Sequence, residues 1–160
     1  MTATTDAAAL RAAFSPILAT LMEQTGAIRC TVRLDYPALG LSVNVPCAEV
    51  LAPGAASMMD NSAVDHRRAR SVRWIETNRR PLIQGDVFAD PDLAPPPALI
   101  RIFGTRSQMV APLIGRDDYL FGWVSAHFAE GPRVFEPAII AALEAARDAV
   151  RDTPGMPVDI

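Results

Sequence analysis

The amino-acid sequence predicts an α+β domain built on a largely antiparallel sheet. Apolar residues recur with helical spacing near both ends of the chain, strictly alternating segments lie between those ends, and a proline-rich stretch interrupts the middle. At 160 residues the chain has the length of one domain, and it shows no internal repeat. We therefore expect a single domain over residues 1–160.

Composition narrows the functional class. Half of the residues are hydrophobic, as in a globular protein, and the net charge of −3 argues against a nucleic-acid binder. No signal peptide is visible at the N-terminus, and no apolar run approaches the ~18 residues of a membrane span. Cys30 and Cys47 form no CxxC motif and fit buried thiols. We expect a cytoplasmic protein that binds neither nucleic acid nor membrane.

Amphipathic helices are predicted at both ends of the chain. Their apolar stripes share the spacing i, i+4, i+7, i+11 and consist of Leu10, Phe14, Ile17 and Leu21, and of Ile139, Leu143, Ala146 and Val150. Thr5 or Asp6 can cap the first helix, Gly26 can end it, and Pro16 should kink or split it. Pro137 suits the first turn of the last helix. Such matching stripes can share one face of a sheet or pair with a second copy.

The segments between these helices contain the predicted strands. Residues 28–35 and 41–45 alternate and should form a hairpin through the intervening turn. Residues 62–78 look helical, with Val64, Val72 and Ile75 pointing inward. A short strand is expected within 81–87, and the prolines of 88–100 exclude regular structure until about Leu99.

The segment from Arg106 to Glu130 predicts a second hairpin with two unlike faces. If opposed residue numbers sum to 233, the facing pairs on one side are Arg106 with His127, Gln108 with Ser125, and Val110 with Trp123. The other side holds Ser107, Met109, Ala111, Leu113, Leu120, Gly122, Val124, Ala126 and Phe128. The first side is too polar for a dry core and too aromatic for a solvent face. It should be joined by Arg29, Thr31, Arg33, Ser42 and Asn44, and roofed by the middle of the chain to enclose a cavity.

Residues 106–150 resemble the C-terminal half of a GAF domain. The resemblance is carried by Arg-Ser at 106–107, Ala-Pro-Leu at 111–113, Gly-Trp-Val at 122–124 and Phe135 before the last helix. The earlier "SVRWIETNRRPLIQGDV" resembles the family's central helix, its following strand and the Asp after it, here Asp86. The resemblance covers about residues 8–150, which sets the core of the domain and leaves short flexible tails.

The resemblance implies a central antiparallel sheet with the terminal helices on one face and a ligand pocket on the other. It also implies a homodimer through those helices and a sensory role, since GAF domains bind cyclic nucleotides, bilins, haem or small metabolites. Free methionine-R-sulfoxide reductase is an enzyme on this scaffold that uses cysteines before the position of Arg106. This chain has no cysteine from 48 to 160, which argues against thiol-based reduction.

Seven residues are the candidate ligand contacts: Gln108, Trp123, Ser125, His127, Arg106, Arg29 and Asp86. His127 can hydrogen-bond a ligand or act as acid or base near neutral pH, although a satisfied strand histidine is the simpler interpretation. Trp123 can stack on a ligand or belong to the core. Strand arginines facing a cavity can clamp a carboxylate or phosphate. Asp86, like Asp60, can contact ligand or only cap a turn.

Two further features have simpler interpretations. His66 can ligate haem from a helix or loop above the pocket, but a solvated helix position is the plainer interpretation. Spacing between His66 and His127 does not support a structural zinc site. The arginines clustered between 67 and 80, interrupted by Asp65 and Glu76, are best interpreted as a solvated helix face rather than a phosphate-binding surface.

Three functions remain open from the sequence. The favoured one is a module that binds and senses a small metabolite, with an anion as the class that the strand arginines suit. The alternative is a small enzyme on the same scaffold, either cofactor-free with His127 as acid or base, or haem-dependent through His66. The third is an interaction domain with a vestigial pocket, which a cavity too small for a metabolite would favour.

Overall fold

A five-stranded sheet in the order β2-β1-β5-β4-β3 organises the molecule, and every neighbouring pair of strands is antiparallel. The computed structural model describes residues 6–59 and 65–156. The strands are β1 (Arg29–Leu34), β2 (Ala48–Leu51), β3 (Leu82–Gln84), β4 (Ser107–Ile114) and β5 (Leu120–Phe128). The helices are α1 (Ala7–Thr25), α2 (Arg70–Asn78), α3 (Pro97–Arg101) and α4 (Pro137–Arg151). This confirms the predicted α+β class.

The terminal helices α1 and α4 pack together on one face of the sheet, as predicted. Phe14 and Leu143, one from each helix, are fully buried against inward side chains of β1, β4 and β5. The carboxylate of Asp6 caps α1 by accepting from the Ala9 amide at 2.7 Å, and Gly26 ends it with φ of +76°. The predicted split at Pro16 is wrong, because α1 continues through that residue. We call this side of the sheet the dry face.

The hairpin of β4 and β5 keeps the predicted faces but not the predicted pairs. Opposed residue numbers sum to 235, so Gln108 faces His127, Val110 faces Ser125, and Pro112 faces Trp123. A shift of two residues preserves the side on which each residue lies. The predicted pairing of Arg106 with His127 is therefore wrong. The turn between the two strands contains Asp117 and Asp118 in the left-handed conformation, with φ of +56° and +60°, which the sequence pattern did not predict.

One irregularity moves Leu120 away from its predicted side. The β4–β5 register changes between Leu113 and Ile114, which pair with Gly122 and Leu120, and Phe121 is left as the extra residue. Phe121 consequently joins the dry core, whereas Leu120 packs on the opposite face with Trp123. A β-bulge has this effect because it reverses the alternation beyond it.

The first hairpin differs from its prediction. Residues 41–45 are not a strand; β1 instead pairs with β2 at residues 48–51, and Tyr36 and Leu41 form only an isolated bridge. Asn44 therefore lies in a loop, where its side-chain oxygen accepts from the His66 amide at 3.1 Å. The faces of β1 are as predicted: Arg29, Thr31 and Arg33 lie opposite His127, Ser125 and Trp123 of β5.

The described residues between β2 and β4, apart from strand β3, cross the second face of the sheet, and we call them the cover; they are residues 52–59, 65–81 and 85–104. The predicted helix over 62–78 is shorter, consisting of a 3₁₀ turn at His66–Arg68 followed by α2, with Val72 and Ile75 buried as expected. Val64 and Asp60, and most of the predicted flexible tails, lie outside the described residues. Within residues 6–59 and 65–156, no helix combines the length and apolar character that crossing a membrane requires.

Candidate functional site

A cavity lies between the cover and the face of the sheet opposite the dry face, which we call the polar face. The sheet contributes Arg33, Gln108, Val110, Trp123, Ser125 and His127, and the cover contributes Met58, His66, Ser71, Val72, Pro96 and Leu99. The volume in which the centre of a water molecule can lie is about 20 Å³. One ordered water needs roughly 10–15 Å³ on that scale, so the cavity has room for little more than one water.

His127 is buried at the centre of the polar face and is held neutral. Its Nδ1 lies 3.4 Å from Nη1 of Arg29, and a guanidinium can only donate. The neutral ring therefore carries its proton on Nε2. Burial, followed by the charges of Arg29 and Arg33 and by His66, holds the pKa of His127 well below its ordinary value. His127 thus offers one N–H donor and no charge at neutral pH.

Arg29 joins the sheet to the cover. It is fully buried, and its Nε and Nη2 donate to the carbonyl of Ala56 at 3.1 and 2.8 Å. Nη2 also donates to the carbonyl of Phe103 at 3.4 Å, while the guanidinium stacks over that ring at 5.2 Å. Burial lowers the pKa of Arg29, and nearby Glu49 opposes the shift. These contacts give Arg29 a structural role in holding the cover.

The other polar side chains of this face are paired across strands. The hydroxyls of Thr31 and Ser125 lie 2.8 Å apart. Gln108 donates to the side-chain oxygen of Gln84 at 2.8 Å, and Gln84 donates to the carbonyl of Leu93 at 3.2 Å. Gln84 was not singled out from the sequence, although its alternation with Leu82 in β3 places it beside Gln108. These bonds fix the orientation of the two glutamine amides.

Arg33 carries a buried charge into the wall of the cavity. Its side chain is 2% exposed, and Nη1 donates to the carbonyl of Val43 at 2.8 Å. Nη2 lies 4.0 Å from the sulfur of Met58, a weak acceptor. Burial lowers the pKa of Arg33 to about 10, with Glu49 opposing and Arg29 adding to the shift. Arg33 therefore remains charged at neutral pH.

His66 also lines the cavity, so the solvated interpretation of this residue is wrong. It is 4% exposed, because the 3₁₀ turn places it under the cover rather than on a surface helix. Burial, and secondarily Arg33, lowers the pKa of His66 to about 3. With the cover in this position, the cavity has no room for a haem macrocycle. The described residues also contain no group of three potential metal ligands.

The structure brings together four of the seven predicted contacts in the cavity wall: Gln108, Trp123, Ser125 and His127. Trp123 belongs to the cavity wall and also to an apolar cluster with Val110 and Ile75. Arg106 and Asp86 lie elsewhere. Arg106 donates to the carbonyls of Ile100 and Thr105 at 3.1 and 3.0 Å, and Asp86 accepts from the Phe88 amide at 2.9 Å as in a turn.

Both cysteines lie on the dry face. Cys30 and Cys47 are free thiols buried beneath the terminal helices, on the side of the sheet away from the cavity. Burial raises the pKa of Cys30 to about 12 and that of Cys47 to about 11, the latter partly offset by Arg11. Neither sulfur is a thiolate at neutral pH, and neither reaches the cavity.

Next to His66 in sequence, Arg67 forms with Asp35 and Tyr119 what we call the rim cluster. Arg67 contacts the Asp35 carboxylate at 3.3 Å, and the Tyr119 hydroxyl donates to that carboxylate at 2.6 Å. Arg67 also donates to the Tyr119 oxygen at 3.0 Å and stacks over its ring. Because Arg67 follows His66 in the 3₁₀ turn, these contacts fasten this part of the cover to β1 and β5.

The remaining arginines of this region lie on the surface, as the solvated-face interpretation predicts. Arg68, Arg70 and Arg73 are exposed, and Arg68 and Arg70 contact Asp65 and Asp92 at 3.2 and 3.8 Å. Such exposed ion pairs contribute little to stability.

Comparison with known proteins agrees with this architecture. A family model for the GAF domain matches residues 9–150. The blue-light-absorbing form of the Thermosynechococcus elongatus PixJ GAF domain is similar, with a TM-score of 0.66 at 23% identity over 89% of this chain and 84% of that one. A bacteriophytochrome from the photosynthetic bacterium R. palustris has a TM-score of 0.61 at 19% identity, over 92% of this chain and 33% of that one.

At these identities, structural likeness shows the fold alone, and no curated protein sequence matches the chain. The family model, in contrast, spans nearly the whole of the described core. Its range also includes every strand of the sheet and both walls of the cavity. The chain therefore belongs to the GAF domain family, whose members are ligand-binding sensory modules.

Proposed function

We propose that this domain senses a small molecule bound in the cavity between the polar face and the cover. The observation that supports this most is the cluster of buried polar side chains around His127. Burying polar groups costs free energy, and the dry face of the same sheet shows that this chain can fill such a space with apolar residues. The small volume of the cavity, taken alone, favours the alternative of an interaction domain with a vestigial pocket. Apolar side chains would serve such a domain better than two histidines, two glutamines and a charged arginine, so we favour the sensor.

The charge of the site favours an anionic ligand. Arg29 and Arg33 are both buried, and neither has an ion pair within 4.0 Å among the described residues. In the part of the chain that the structure describes, the carboxylate whose charge acts on both arginines is that of Glu49, which accepts from the Ser57 hydroxyl and the Met58 amide at 2.6 and 2.7 Å. A bound anion would gain Coulomb energy in a site that water barely reaches.

In this structure the cavity has no room for a metabolite, so the cover must move before a larger molecule can bind. His66, Met58 and Leu99 are the cover residues that would be displaced first, since they meet the polar face directly. Movement of the cover on binding is also a means of signalling, because one position of the cover would report an empty site and another a filled site.

Native mass spectrometry of the protein purified from its own host tests the proposal. We expect a co-purifying small molecule in the wild type and its loss in His127→Ala, with the fold intact by circular dichroism. Arg73→Ala, which changes an exposed residue of α2, is the matched control and should retain the molecule. Equal retention by His127→Ala would remove the main support for a sensor built on this site.

We also propose a homodimer through the terminal helices. Their outer surfaces form a shallow groove lined by Pro16, Ile17, Thr20, Ala142, Ala145 and Ala149. Small and apolar side chains allow a second helix pair to approach closely. Sedimentation should show a dimer that Ala145→Glu dissociates and that Ala89→Glu, in an exposed loop, leaves intact. A monomeric wild type would contradict this arrangement.

The free thiols of Cys30 and Cys47 support a reducing compartment, and we propose a cytoplasmic location on that basis.

A further inference from the structure

Among the side chains that line the cavity, Arg33 carries the positive charge, and it lies opposite Trp123 at one end of the β1–β5 pairing. His66, on which the charge of Arg33 acts, also lines the cavity, as do Ser71 and Val72 from the first turn of α2. Gln108, Ser125 and His127 are neutral, and at the His127 end the charge of Arg29 lies behind the imidazole rather than in the lining.

Arg33 has spare donor capacity at this end. Its Nη2 meets only the Met58 sulfur among the described residues, at 4.0 Å. No side chain caps α2, because its N-cap position is Ala69. Ser71, in the first turn of α2, is 4% exposed and lines the cavity. The start of a helix favours negative charge, and here it coincides with a buried guanidinium.

The charges of the described residues favour a monovalent ligand. Arg29 and Arg33 contribute two buried positive charges, and within residues 6–59 and 65–156 Glu49 is the acidic group that acts on both, which leaves an excess of one positive charge. A monoanion would neutralise this remainder, whereas a dianion would leave a buried negative charge. The space also suits a group of a few heavy atoms, slightly larger than one water.

We propose that the cavity contains a subsite for one planar monoanionic group, a carboxylate or an oxyanion of the same size, between Arg33, His66 and the first turn of α2. This inference rests on the proposed small-molecule function and names the ligand class. The fork of Arg33 supplies the charged donor, and the Ser71 hydroxyl and His66 supply neutral ones. A small anion occupies the subsite alone, while a larger carboxylic acid places its remaining atoms toward His127 and Gln108 after the cover moves.

The experiment follows the fluorescence of Trp123 in the Trp74→Phe protein, which leaves one tryptophan in the cavity wall. Formate, acetate and nitrate are titrated against potassium chloride at constant ionic strength, with formamide and acetamide as neutral isosteres and sulfate as the dianion. We expect saturable responses to formate, acetate and nitrate and none to the amides. Sulfate should bind more weakly than formate.

Arg33→Gln should weaken formate binding roughly tenfold to a hundredfold, since it removes a charged hydrogen bond. Arg73→Gln, on the exposed side of α2, is the control and should change nothing. If Arg33→Gln does not fold, Ser71→Ala provides a milder variant, and the preference of the wild type for formate over formamide needs no variant at all. Parallel responses to formate and formamide, or unsaturable responses to both, would overturn the subsite.

The result also separates this inference from the proposed function. A neutral molecule that co-purifies with the wild type and is lost in His127→Ala would uphold sensing while refuting the monoanion subsite. Saturable formate binding without any co-purifying molecule would support the subsite but leave the sensory ligand of the proposed function unsupported.

Discussion

The two faces of the sheet use the same strands for opposite purposes. The dry face meets α1 and α4 through an apolar cluster that includes Phe14, Leu18, Val124 and Leu143, all fully buried. The polar face meets the cover through hydrogen bonds, stacked rings and buried charges around His127. Because successive side chains of a strand point to opposite faces, β1 and β5 alternate between these two environments residue by residue.

The two faces contribute oppositely to the stability of the domain. Apolar burial on the dry face contributes most of the free energy of folding. The polar face and the cover over it bury two arginines and two neutral histidines that water would solvate better. A domain that needed only to fold would gain by replacing them, so the cost is consistent with a binding role.

The largest effect is expected on the dry face. Leu143→Ala, in the middle of α4, should lower the free energy of unfolding by about 4 kcal/mol, because the packed surroundings cannot close over the lost atoms. The same substitution at Leu99, in the cavity wall, should cost about half as much because this residue already borders free space. Urea unfolding of both variants measures the contrast, and equal losses would show that the polar face is packed as tightly as the dry one.

The second-largest effect is on the pH dependence of the free energy of unfolding, which depends on buried histidines at the polar face and in the cover. His66 has a pKa of about 3 in the folded protein, against about 6.5 when unfolded. Between these values the unfolded chain binds more protons, so stability must fall as the pH is lowered from 7 toward 3. The loss attributable to His66 is roughly 2 kcal/mol between pH 7 and pH 5, and His127, whose pKa is also depressed, adds a loss in the same direction.

Chemical unfolding at pH 7 and pH 5 checks this expectation. His66→Gln should reduce the difference between the two values by roughly 2 kcal/mol, since glutamine does not titrate. Leu143→Ala is the control: it should lower both values but leave their difference unchanged. A pH dependence that survives in His66→Gln without reduction would mean that this imidazole is solvated.

Alternation in the sequence was sufficient to predict the composition of the two faces. The register of β4 and β5 is displaced by two residues from the prediction, yet Gln108, Ser125 and His127 still share a face because the side-chain period is two. The bulge at Phe121 could not be predicted in this way, since nothing in the local pattern distinguishes it from a regular strand residue.

The cover was less predictable than the sheet. Residues 41–45 alternate like a strand but lie in a loop, because β2 takes the place beside β1. His66 appeared solvated from its arginine-rich neighbours, yet tertiary contacts bury it. Gln84 required the pairing of β3 with β4 to become a candidate. Each of these depends on which elements meet in space, and local propensity does not encode that.

The smallest effect concerns the rim cluster, where the two regions are fastened together. Tyr119→Phe removes the hydroxyl that donates to Asp35 and accepts from Arg67. Tyr119 is 40% exposed, so global stability should fall by less than about 1 kcal/mol. The 3₁₀ turn that carries His66 would open more often, because local unfolding requires less free energy than global unfolding.

Acrylamide quenching of Trp123 in the Trp74→Phe protein detects this opening directly, since the quencher must enter the cavity. We expect faster quenching in Tyr119→Phe and no change in Tyr36→Phe, which alters the other tyrosine, beside the dry core. Equal quenching in both variants would mean that the rim cluster does not hold the cover, and that access to the polar face depends on Arg29 and its contacts with Ala56 and Phe103. Loss of protection without loss of global stability is the result that separates a movable cover from a fixed core.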